Sequence, residues 1–443
     1  MYHGLTLPEV PMPARRRTVA PLFLVLALSG LAPALTAQAP VQVPPEADRF
    51  SPQVMEIPSV ARALQWLEEH FDDQVDEWIR INEIPAPSRL EEERGRYVAA
   101  QMEAEGLEVS VDGIGNVIGV RRGTGDGPTL VFASHMDTVF PMGTDVTVRR
   151  DGDVLRAPGI WDNSAAVANM LAVARAMNAA GIRTRGDVIF IGTVQEEIGL
   201  NGMTYWLEEN EGVADMLVAI DGGLGAISYG ALGIYWTIYR FHADGAHTNQ
   251  SAGRPHPVRA LADAVRSIYE IEIPEGQGGA VFNVGMLDGG SIFNAIPEQA
   301  SFSMDLRSVN PVLLDSLNAE IEARVAQAAE VHGVEWSMEI DSRSQAGGTE
   351  EQLADRRIHP LIVTAESIYG HLELGNTLRA SGSTDANAGV VRGIPSISVG
   401  RSLGGDNHTL SEWADIPSAL PATQAVLLLT VTLAELAEGP VSQ

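Results

Sequence analysis

The sequence predicts an α/β protein in which a mixed sheet is flanked by helices and a smaller ferredoxin-like domain is inserted. Short apolar runs alternate with helical patterns in the first half of the chain and again near its end, which is typical of helices packed on a sheet. Between about residues 233 and 344 the order becomes strand, helix, strand, strand, helix, strand, which is the ferredoxin-like order. A chain of 443 residues is also longer than one ordinary core requires.

The first 39 residues are predicted to be an export signal. Arginines at 15–17 precede an apolar run over 19–35, and Ala-Gln-Ala at 37–39 is a small-x-small cleavage site. The alternative, a membrane-spanning anchor, is disfavoured because proline and glycine interrupt the run, which is short of about 20 apolar residues. We expect cleavage after Ala39, a periplasmic or secreted protein without a stable membrane anchor, and a proline-rich linker over 40–51.

The first part of the larger domain, over 52–232, alternates helices with strands. Apolar residues three and four apart predict a helix over 60–80, and a second helix over about 89–105 ends at Gly106. A third helix covers 164–180. The predicted strands are the apolar, turn-bounded runs 107–111, 117–121, 129–133, 187–194 and 216–220.

The smaller domain, over 233–344, is predicted to interrupt the larger one. Its predicted strands are 234–243, 281–286, 300–306 and 335–340, and its predicted helices are 258–271 and 313–331. A polar loop over 341–351 then leads into the second part of the larger domain, 345–443. There a strand over 395–399 precedes a C-terminal helix, so the α/β alternation resumes.

The composition excludes several functional classes. Asp and Glu outnumber the basic residues 58 to 29, which gives a formal charge of −29. Such a surface repels phosphate backbones, so no nucleic-acid partner is expected. The chain has neither cysteine nor lysine. It therefore lacks disulfides, thiolate nucleophiles and cysteine–zinc sites, and it has no lysine for Schiff-base chemistry or for a P-loop.

Histidines and carboxylates fall at the sheet edge where open α/β proteins build their sites. Each one alone has an ordinary explanation, namely a core or surface histidine, a helix N-cap at 162, a solvated acidic pair or a tight turn. Their joint occurrence favours a site for zinc or a similar divalent ion. The candidate residues are His135, Asp162, Glu196, Glu197, Asp221 and His408.

These residues lie in motifs whose order resembles that of the co-catalytic zinc peptidase family. The family holds aminoacylases, glutamate carboxypeptidases, succinyl-diaminopimelate desuccinylases and tripeptide aminopeptidases. The similarity covers nearly the whole mature chain, including the inserted domain, and the ordered set is more specific than any single motif. The motifs are Ser134-His135-Met136-Asp137-Thr138-Val139, Trp161-Asp162-Asn163, Gln195-Glu196-Glu197-Ile198-Gly199, Asp221-Gly222-Gly223 and Asn407-His408-Thr409.

The resemblance implies two zinc ions per subunit, with cobalt or manganese as alternatives. It assigns Asp162 as the carboxylate that bridges the two ions. His135 and Asp221 complete the protein ligands of one ion, and Glu197 and His408 complete those of the other.

The resemblance also assigns two carboxylates that hold no metal. Asp137, two residues after His135, orients that imidazole. Glu196 is the general base, which takes a proton from the attacking water and delivers it to the leaving amine. Asn163 stands where the family often has a second acid. We expect this difference to be tolerated because the bridging Asp162 is present.

The inserted lid and dimerisation domain and a later loop are expected to complete the site. His247 resembles a lid histidine that reaches the neighbouring subunit's site and stabilises the oxyanion, so a homodimer is expected. Asn294, Arg307 and Gly382 match family positions that hold substrate, with Arg307 clamping a carboxylate. The ordinary alternatives are a solvent-facing histidine, a surface ion pair of Arg307 with Asp305, and a simple turn at Gly382.

The predicted site and the family resemblance leave three candidate functions. The first is a peptidase of the tripeptide-aminopeptidase or dipeptidase kind that acts on small peptides. The second is an N-acyl-amino-acid deacylase or a carboxypeptidase with the same centre, because fold and centre do not fix the substrate. The third is a non-catalytic, metal-dependent peptide-binding protein, which is disfavoured because neither a ligand nor the base is missing.

Overall fold

The computed structural model describes residues 44–274 and 279–437. The predicted signal peptide, 1–39, lies outside the described residues. The strands are β1 (Glu108–Val111), β2 (Val117–Arg121), β3 (Leu130–His135), β4 (Arg149–Asp151), β5 (Val154–Arg156), β6 (Val188–Thr193), β7 (Met216–Ile220), β8 (Ala226–Ser228), β9 (Gly233–His242), β10 (Ala246–His247), β11 (Ala280–Asp288), β12 (Ala295–Ile296), β13 (Gln299–Ser308), β14 (Glu335–Ser344), β15 (Thr377–Arg379), β16 (Ser396–Val399), β17 (Gly404–Gly405) and β18 (Trp413–Asp415). The helices are α1 (Pro58–Glu69), α2 (Phe71–Asn82), α3 (Glu92–Ala104), α4 (Ala165–Ala179), α5 (Asn201–Glu209), α6 (Pro257–Ile268), α7 (Pro311–His332), α8 (Glu350–Arg357), α9 (Pro360–His371), α10 (Ala386–Val390) and α11 (Ile416–Leu433).

A mixed sheet of eight strands forms the centre of the larger domain, in the order β1-β2-β6-β3-β7-β16-β8-β15. Its middle strands β6, β3, β7 and β16 run parallel to one another and are buried along their whole lengths. Alternate side chains enter different cores: Phe132 joins the cluster under α1, α2, α4, α9 and α11, whereas Val131 joins the cluster under α5. Burial on both faces is why these strands read as continuous apolar runs. The predicted mixed sheet flanked by helices is confirmed.

Two predicted elements differ from the structure. The helical pattern over 60–80 forms two helices, α1 and α2, which are separated at His70. The His70 ring stacks on Trp66 with centroids 4.3 Å apart, and its Nδ1 lies 3.0 Å from the Trp66 carbonyl oxygen. The predicted polar loop over 341–351 begins later, because β14 pairs with β9 as far as Ser344.

A second, four-stranded antiparallel sheet has the order β11-β13-β9-β14. Helices α6 and α7 contribute to its own core cluster, and the element order is the predicted one. Burial alternates along β13, so Met304 and Leu306 face this core while Asp305 and Arg307 face outward. The outward face of this sheet therefore carries these two charged side chains, beside exposed apolar ones such as Trp236 and Val281. Its role as a lid and dimerisation domain stays a prediction.

Helix α11 is long and apolar enough to cross a membrane, and it is the one such helix in the described part of the chain. Within the protein, however, 67% of it is buried. Residues such as Val426, Leu427 and Leu428 belong to the main core cluster. Its apolar character therefore fits a core helix that packs beside the sheet.

Candidate metal centre

Three neighbouring parallel strands deliver candidate ligands to one edge of the large sheet. His135 is the last residue of β3 and pairs in register with Thr193, the last residue of β6. Glu196 and Glu197 follow β6, and Asp221 follows β7 directly. Because the carboxyl ends of parallel strands meet at one edge, the register brings these side chains together.

Two further candidates reach this edge from loops. Asp162 lies in a turn, Ile160–Ser164, immediately before α4, and its own backbone angles are not helical. His408 lies in the loop between β17 and β18, after the parallel strand β16 has ended at Val399. Both loops are close to the strand ends, as the distances below show.

His135, Asp162 and Asp221 form the first group, in which one ligand atom from each residue lies within 4.8 Å of the others. The Nε2 of His135 is 3.2 Å from Oδ1 of Asp162 and 3.8 Å from Oδ2 of Asp221. The His135 side chain is only 2% exposed. The structure therefore brings together the three residues that the resemblance assigns to one ion.

Asp162, Glu197 and His408 form the second group, within the same distance limit. The Nε2 of His408 is 3.4 Å from Oδ2 of Asp162 and 3.2 Å from Oε2 of Glu197. Asp162 thus turns Oδ1 towards His135 and Oδ2 towards His408, as a bridging carboxylate requires. Hydrogen bonds to Asp162 and to Glu197 raise the pKa of His408 to about 10 in the metal-free chain, and the ring would have to release this proton before its nitrogen could hold a metal.

Glu196 lies beside both groups. Its Oε2 is 4.0 Å from Nε2 of His135, and the structure also allows a third grouping of His135, Glu196 and Glu197. Burial, reinforced by the charges of Asp221 and Glu197 and opposed by His135, raises the pKa of Glu196 well above its usual value. A carboxyl group with a raised pKa is suited to accepting and returning a proton.

Asp137 contacts the candidate ligands His135, Glu196 and Glu197 and is completely buried. Its Oδ1 lies 3.5 Å from Nδ1 of His135 and accepts a 3.0 Å hydrogen bond from the Glu196 amide. Its Oδ2 accepts hydrogen bonds from the Ser88 hydroxyl at 2.6 Å and the Glu197 amide at 3.2 Å. Burial acts to raise the pKa of Asp137, but the hydrogen bond and charge of His135 lower it below its usual value. The Asp137 backbone carbonyl, 3.1 Å from Nδ1 of His135, therefore holds the histidine ring, while the carboxylate holds the backbone of Glu196 and Glu197.

Arg401 is a charged neighbour that the sequence analysis missed. Its guanidinium is 1% exposed, lies 3.1 Å from Oδ1 of Asp162 and is also paired with Asp221. It lies over the Trp161 ring, 4.5 Å from the ring centre. Arg401 comes two residues after β16 ends at Val399, so its position past the end of a buried strand is the sequence signal that indicates it.

Glu412 is the second missed residue. It is fully buried, and its carboxylate accepts hydrogen bonds from the backbone amides of Gly159, Trp161 and Asp162 at 3.0, 2.8 and 2.8 Å. It therefore holds the turn that presents Asp162. A lone glutamate near a chain end carries no sequence signal for such a role.

The donor set fits a pair of divalent ions. It offers imidazole nitrogens and carboxylate oxygens, which are the ligands of zinc and related metals. Glu197 Oε1 is buried and has no hydrogen-bond partner among the described residues. An unpartnered buried carboxylate oxygen is costly, and a cation bound beside His408 would satisfy it.

The predicted lid residues His247 and Asn294 lie next to each other. His247 is the last residue of β10, which pairs with β12 so that His247 lies opposite Ala295. The amide of the next residue, Thr248, donates a 3.0 Å hydrogen bond to the Asn294 carbonyl. Both His247 and Asn294 are exposed. Among the described contacts, none joins this pair to the metal cluster.

The other two predicted substrate residues have local partners. Arg307 forms three hydrogen bonds to Asp305, at 2.9 to 3.1 Å, which is the ion pair considered as its ordinary alternative. The Gly382 carbonyl accepts hydrogen bonds from the Leu232 amide at 2.7 Å and from Asn387 Nδ2 at 2.8 Å. Of the two backbone polar groups of Gly382, the carbonyl thus has partners and the amide has none among the described residues.

Comparison with family models identifies one family. The family model described as Peptidase family M20/M25/M40 matches residues 131–432. Carboxypeptidase G2 from a Pseudomonas species is 26% identical over 321 residues, which cover 69% of this chain and 74% of that protein.

Two solved structures share the fold. Aminopeptidase PepT from Bacillus cereus is 20% identical with a TM-score of 0.69, and the match covers 82% of this chain and 99% of that one. A dinuclear metal-binding peptidase of the M20 family from Bacillus subtilis is 17% identical with a TM-score of 0.60, and the match covers 82% and 98%.

Proposed function

This chain belongs to peptidase family M20/M25/M40 and is therefore a metal-binding hydrolase, and from that premise we propose that it is an exported two-zinc peptidase of small peptides. The observation that carries the proposal is the position of Asp162 between two histidines. Its Oδ1 is 3.2 Å from His135 and its Oδ2 is 3.4 Å from His408. A carboxylate shared in this way could serve two divalent ions at once.

In this proposal the chain supplies ligands, orientation and proton transfer. When bound, the two ions supply Lewis acidity that polarises the scissile carbonyl and lowers the pKa of a water molecule. Asp137 holds the His135 ring through its backbone carbonyl and the backbone of Glu196 through its carboxylate. Glu196 accepts the proton as the water oxygen attacks the carbonyl carbon. Glu196 then delivers that proton to the amine nitrogen when the carbon–nitrogen bond breaks.

We propose a tripeptide-aminopeptidase or dipeptidase-like activity first, with zinc in both positions and cobalt or manganese as alternatives. The PepT structure supports this choice through the shared fold. A carboxypeptidase or N-acyl-amino-acid deacylase is the second candidate. It is supported by the similarity to carboxypeptidase G2 and by the outward-facing Arg307, whose guanidinium could clamp a free carboxylate.

We further propose that the protein works as a homodimer after cleavage of residues 1–39. His247 is exposed and has no described contact with its own metal cluster, which fits a histidine that serves the neighbouring subunit. Size-exclusion chromatography with an activity assay of each peak tests the dimer, and a fully active monomer would refute it. N-terminal sequencing of protein recovered from the periplasm tests the cleavage, for which Pro40 is the expected first residue.

The decisive experiment measures metal content and hydrolysis together. Purified wild type, Glu196→Ala and Glu93→Ala are analysed for zinc and assayed on a dipeptide in N-free and N-blocked forms. Glu93 is exposed on α3, so it is a matched control for loss of a glutamate. We expect about two zinc ions per chain in all three proteins and turnover in all but Glu196→Ala.

Each result has a defined meaning. Turnover of only the N-free dipeptide supports the aminopeptidase, whereas turnover of only the blocked form supports the deacylase. Absence of bound metal after reconstitution, or full activity of Glu196→Ala, would show that the assigned centre is wrong.

A further inference from the structure

Arg401 contacts Asp162, which both ligand groups share, and Asp221, which belongs only to the group of His135. Its Nη2 is 3.1 Å from Asp162 Oδ1, and its Nη1 is paired with Asp221 Oδ1. Asp162 Oδ1 and Asp221 both belong to the group that contains His135. The other oxygen of Asp162, which faces His408, instead meets the neutral amide of Asn407 at 3.3 Å.

The guanidinium is held firmly in this position. Arg401 is buried, and its planar head lies over the Trp161 ring. Its backbone carbonyl accepts a 2.8 Å hydrogen bond from Asn169 in α4. An arginine keeps its positive charge at all relevant pH values. The charge therefore stays beside Asp162 and Asp221 whether or not ions are bound.

The contact also limits how Asp221 can bind an ion. Its Oδ1 is paired with Arg401, while its Oδ2 faces His135 at 3.8 Å. Asp221 thus offers one free oxygen, and its negative charge is already partly compensated. An ion bound there also lies close to a like charge, which weakens its binding.

The second position is different. Glu197 Oε2 faces His408 at 3.2 Å, and Glu197 Oε1 is buried without a hydrogen-bond partner among the described residues. Within the described residues, no arginine forms an ion pair with Glu197. Both of its oxygens are therefore available to an ion, and their charge is not compensated by a guanidinium.

We propose that Arg401 makes the two ion positions unequal. The position built from His135, Asp162 and Asp221 binds a divalent ion more weakly than the position built from Asp162, Glu197 and His408. This inference rests on the proposed two-metal function. When metal is scarce, the protein holds one ion at the His408 side, and the supply of the second ion sets the fraction of protein that is fully loaded.

The test is a zinc titration of the metal-stripped full chain by isothermal titration calorimetry, with a competing chelator of known affinity. Wild type should show two binding events whose dissociation constants differ by at least about tenfold. Asp221→Asn should abolish the weaker event, and His408→Asn should abolish the tighter one. These two variants assign each event to its position.

A pair of Arg401 variants then isolates the charge. Arg401→Met removes the charge but keeps an apolar stem against Trp161. It should lower the dissociation constant of the weaker event, so that the ratio of the two dissociation constants falls by about tenfold. Arg401→Lys keeps the charge, and it should preserve the wild-type ratio of the two dissociation constants. Circular dichroism and thermal unfolding establish that each variant is folded.

Several outcomes would overturn the inference. The first is that both positions of wild type bind zinc with equal affinity. The second is that Asp221→Asn loses the tighter event, and the third is that folded Arg401→Met keeps the wild-type ratio of the two dissociation constants. If Arg401→Met does not fold, Asp221→Asn and His408→Asn still test which position is weaker, and a second neutral variant, Arg401→Gln, tests the role of the charge. A folded wild type that binds no zinc would instead refute the two-metal function itself.

Discussion

The side-chain carboxylate of Glu412 accepts a 2.8 Å hydrogen bond from the backbone amide of Asp162, although 250 positions separate the two residues. The same carboxylate accepts hydrogen bonds from the amides of Gly159 and Trp161. One buried side chain from the end of the chain thus fixes the turn on which the bridging carboxylate stands.

Replacing Glu412 should therefore destabilise the protein and its centre together. In Glu412→Gln, the side-chain NH2 group would face at least one backbone N–H donor, leaving buried donors unsatisfied. We expect the free energy of unfolding to fall by about 3 kcal/mol, measured by urea unfolding. The exposed Glu93→Gln should change it by less than about 0.5 kcal/mol. Equal stability of the two variants would contradict the role given to Glu412.

Asp137→Asn should weaken metal binding without unfolding the protein. The amide would replace an acceptor with a donor beside His135 and the backbone amides of Glu196 and Glu197, so the ligands would lose their orientation. Loss of such an orienting partner typically lowers metal affinity by about 10- to 100-fold, which a chelator competition assay measures. Ser88→Ala removes one donor to Asp137 and should have a smaller effect. Unchanged metal affinity in Asp137→Asn would show that the carboxylate does not orient the ligands.

Arg307→Gln should raise KM for substrates with a free carboxylate while changing kcat little. A guanidinium that binds the substrate equally in the ground and transition states affects KM alone. Loss of a charge-assisted pair is expected to raise KM by about 10- to 100-fold. Arg240 is a matched control, since it is half-buried in the neighbouring strand β9 and paired with Glu339 at 2.6 Å. A KM equal to that of Arg240→Gln would leave Arg307 with only its ion pair to Asp305.

His359 should make the protein less stable in mild acid. Its Nδ1 accepts a 3.1 Å hydrogen bond from the Leu361 amide at the start of α9, which requires the neutral ring. Burial, with a smaller contribution from Arg49, lowers the pKa of His359 below the usual 6.5. The unfolded chain therefore binds the proton more readily, and stability falls as the pH drops through and below about 6.5.

The variant His359→Asn tests this pH dependence. Asparagine can cap the same helix but does not titrate. The loss of Tm between about pH 7 and pH 5 should therefore be smaller in His359→Asn than in wild type. The same loss in both proteins would mean that His359 does not contribute to the acid sensitivity.

The predicted ligands could be found from the sequence because their positions depend on local rules. His135 and Asp221 lie at the carboxyl ends of buried parallel strands, and such strands appear in the sequence as continuous apolar runs. Pairing register then brings them together without further information. The grouping of His135, Asp162 and Asp221 within 4.8 Å follows from this arrangement of strand ends and a helix start.

Other features depend on contacts that no local pattern encodes. The position of Glu412 beside Asp162 arises from tertiary packing across most of the chain. The extension of β14 to Ser344 is set by its pairing with β9, because its own side chains are mostly polar and exposed. The break at His70 depends on the side chain's contacts with Trp66. Sequence periodicity cannot report any of these interactions.

The order of the ligands along the chain has a consequence for biosynthesis. His408 and the supporting Glu412 are made only after the whole second sheet has been synthesised, so a nascent chain lacks one of the three candidate ligands of one ion position and the support of the turn that carries Asp162. A truncated product that ends before these residues would be unable to complete the centre. Termination or clipping before His408 would thus leave the protein with the first ligand group but without the second.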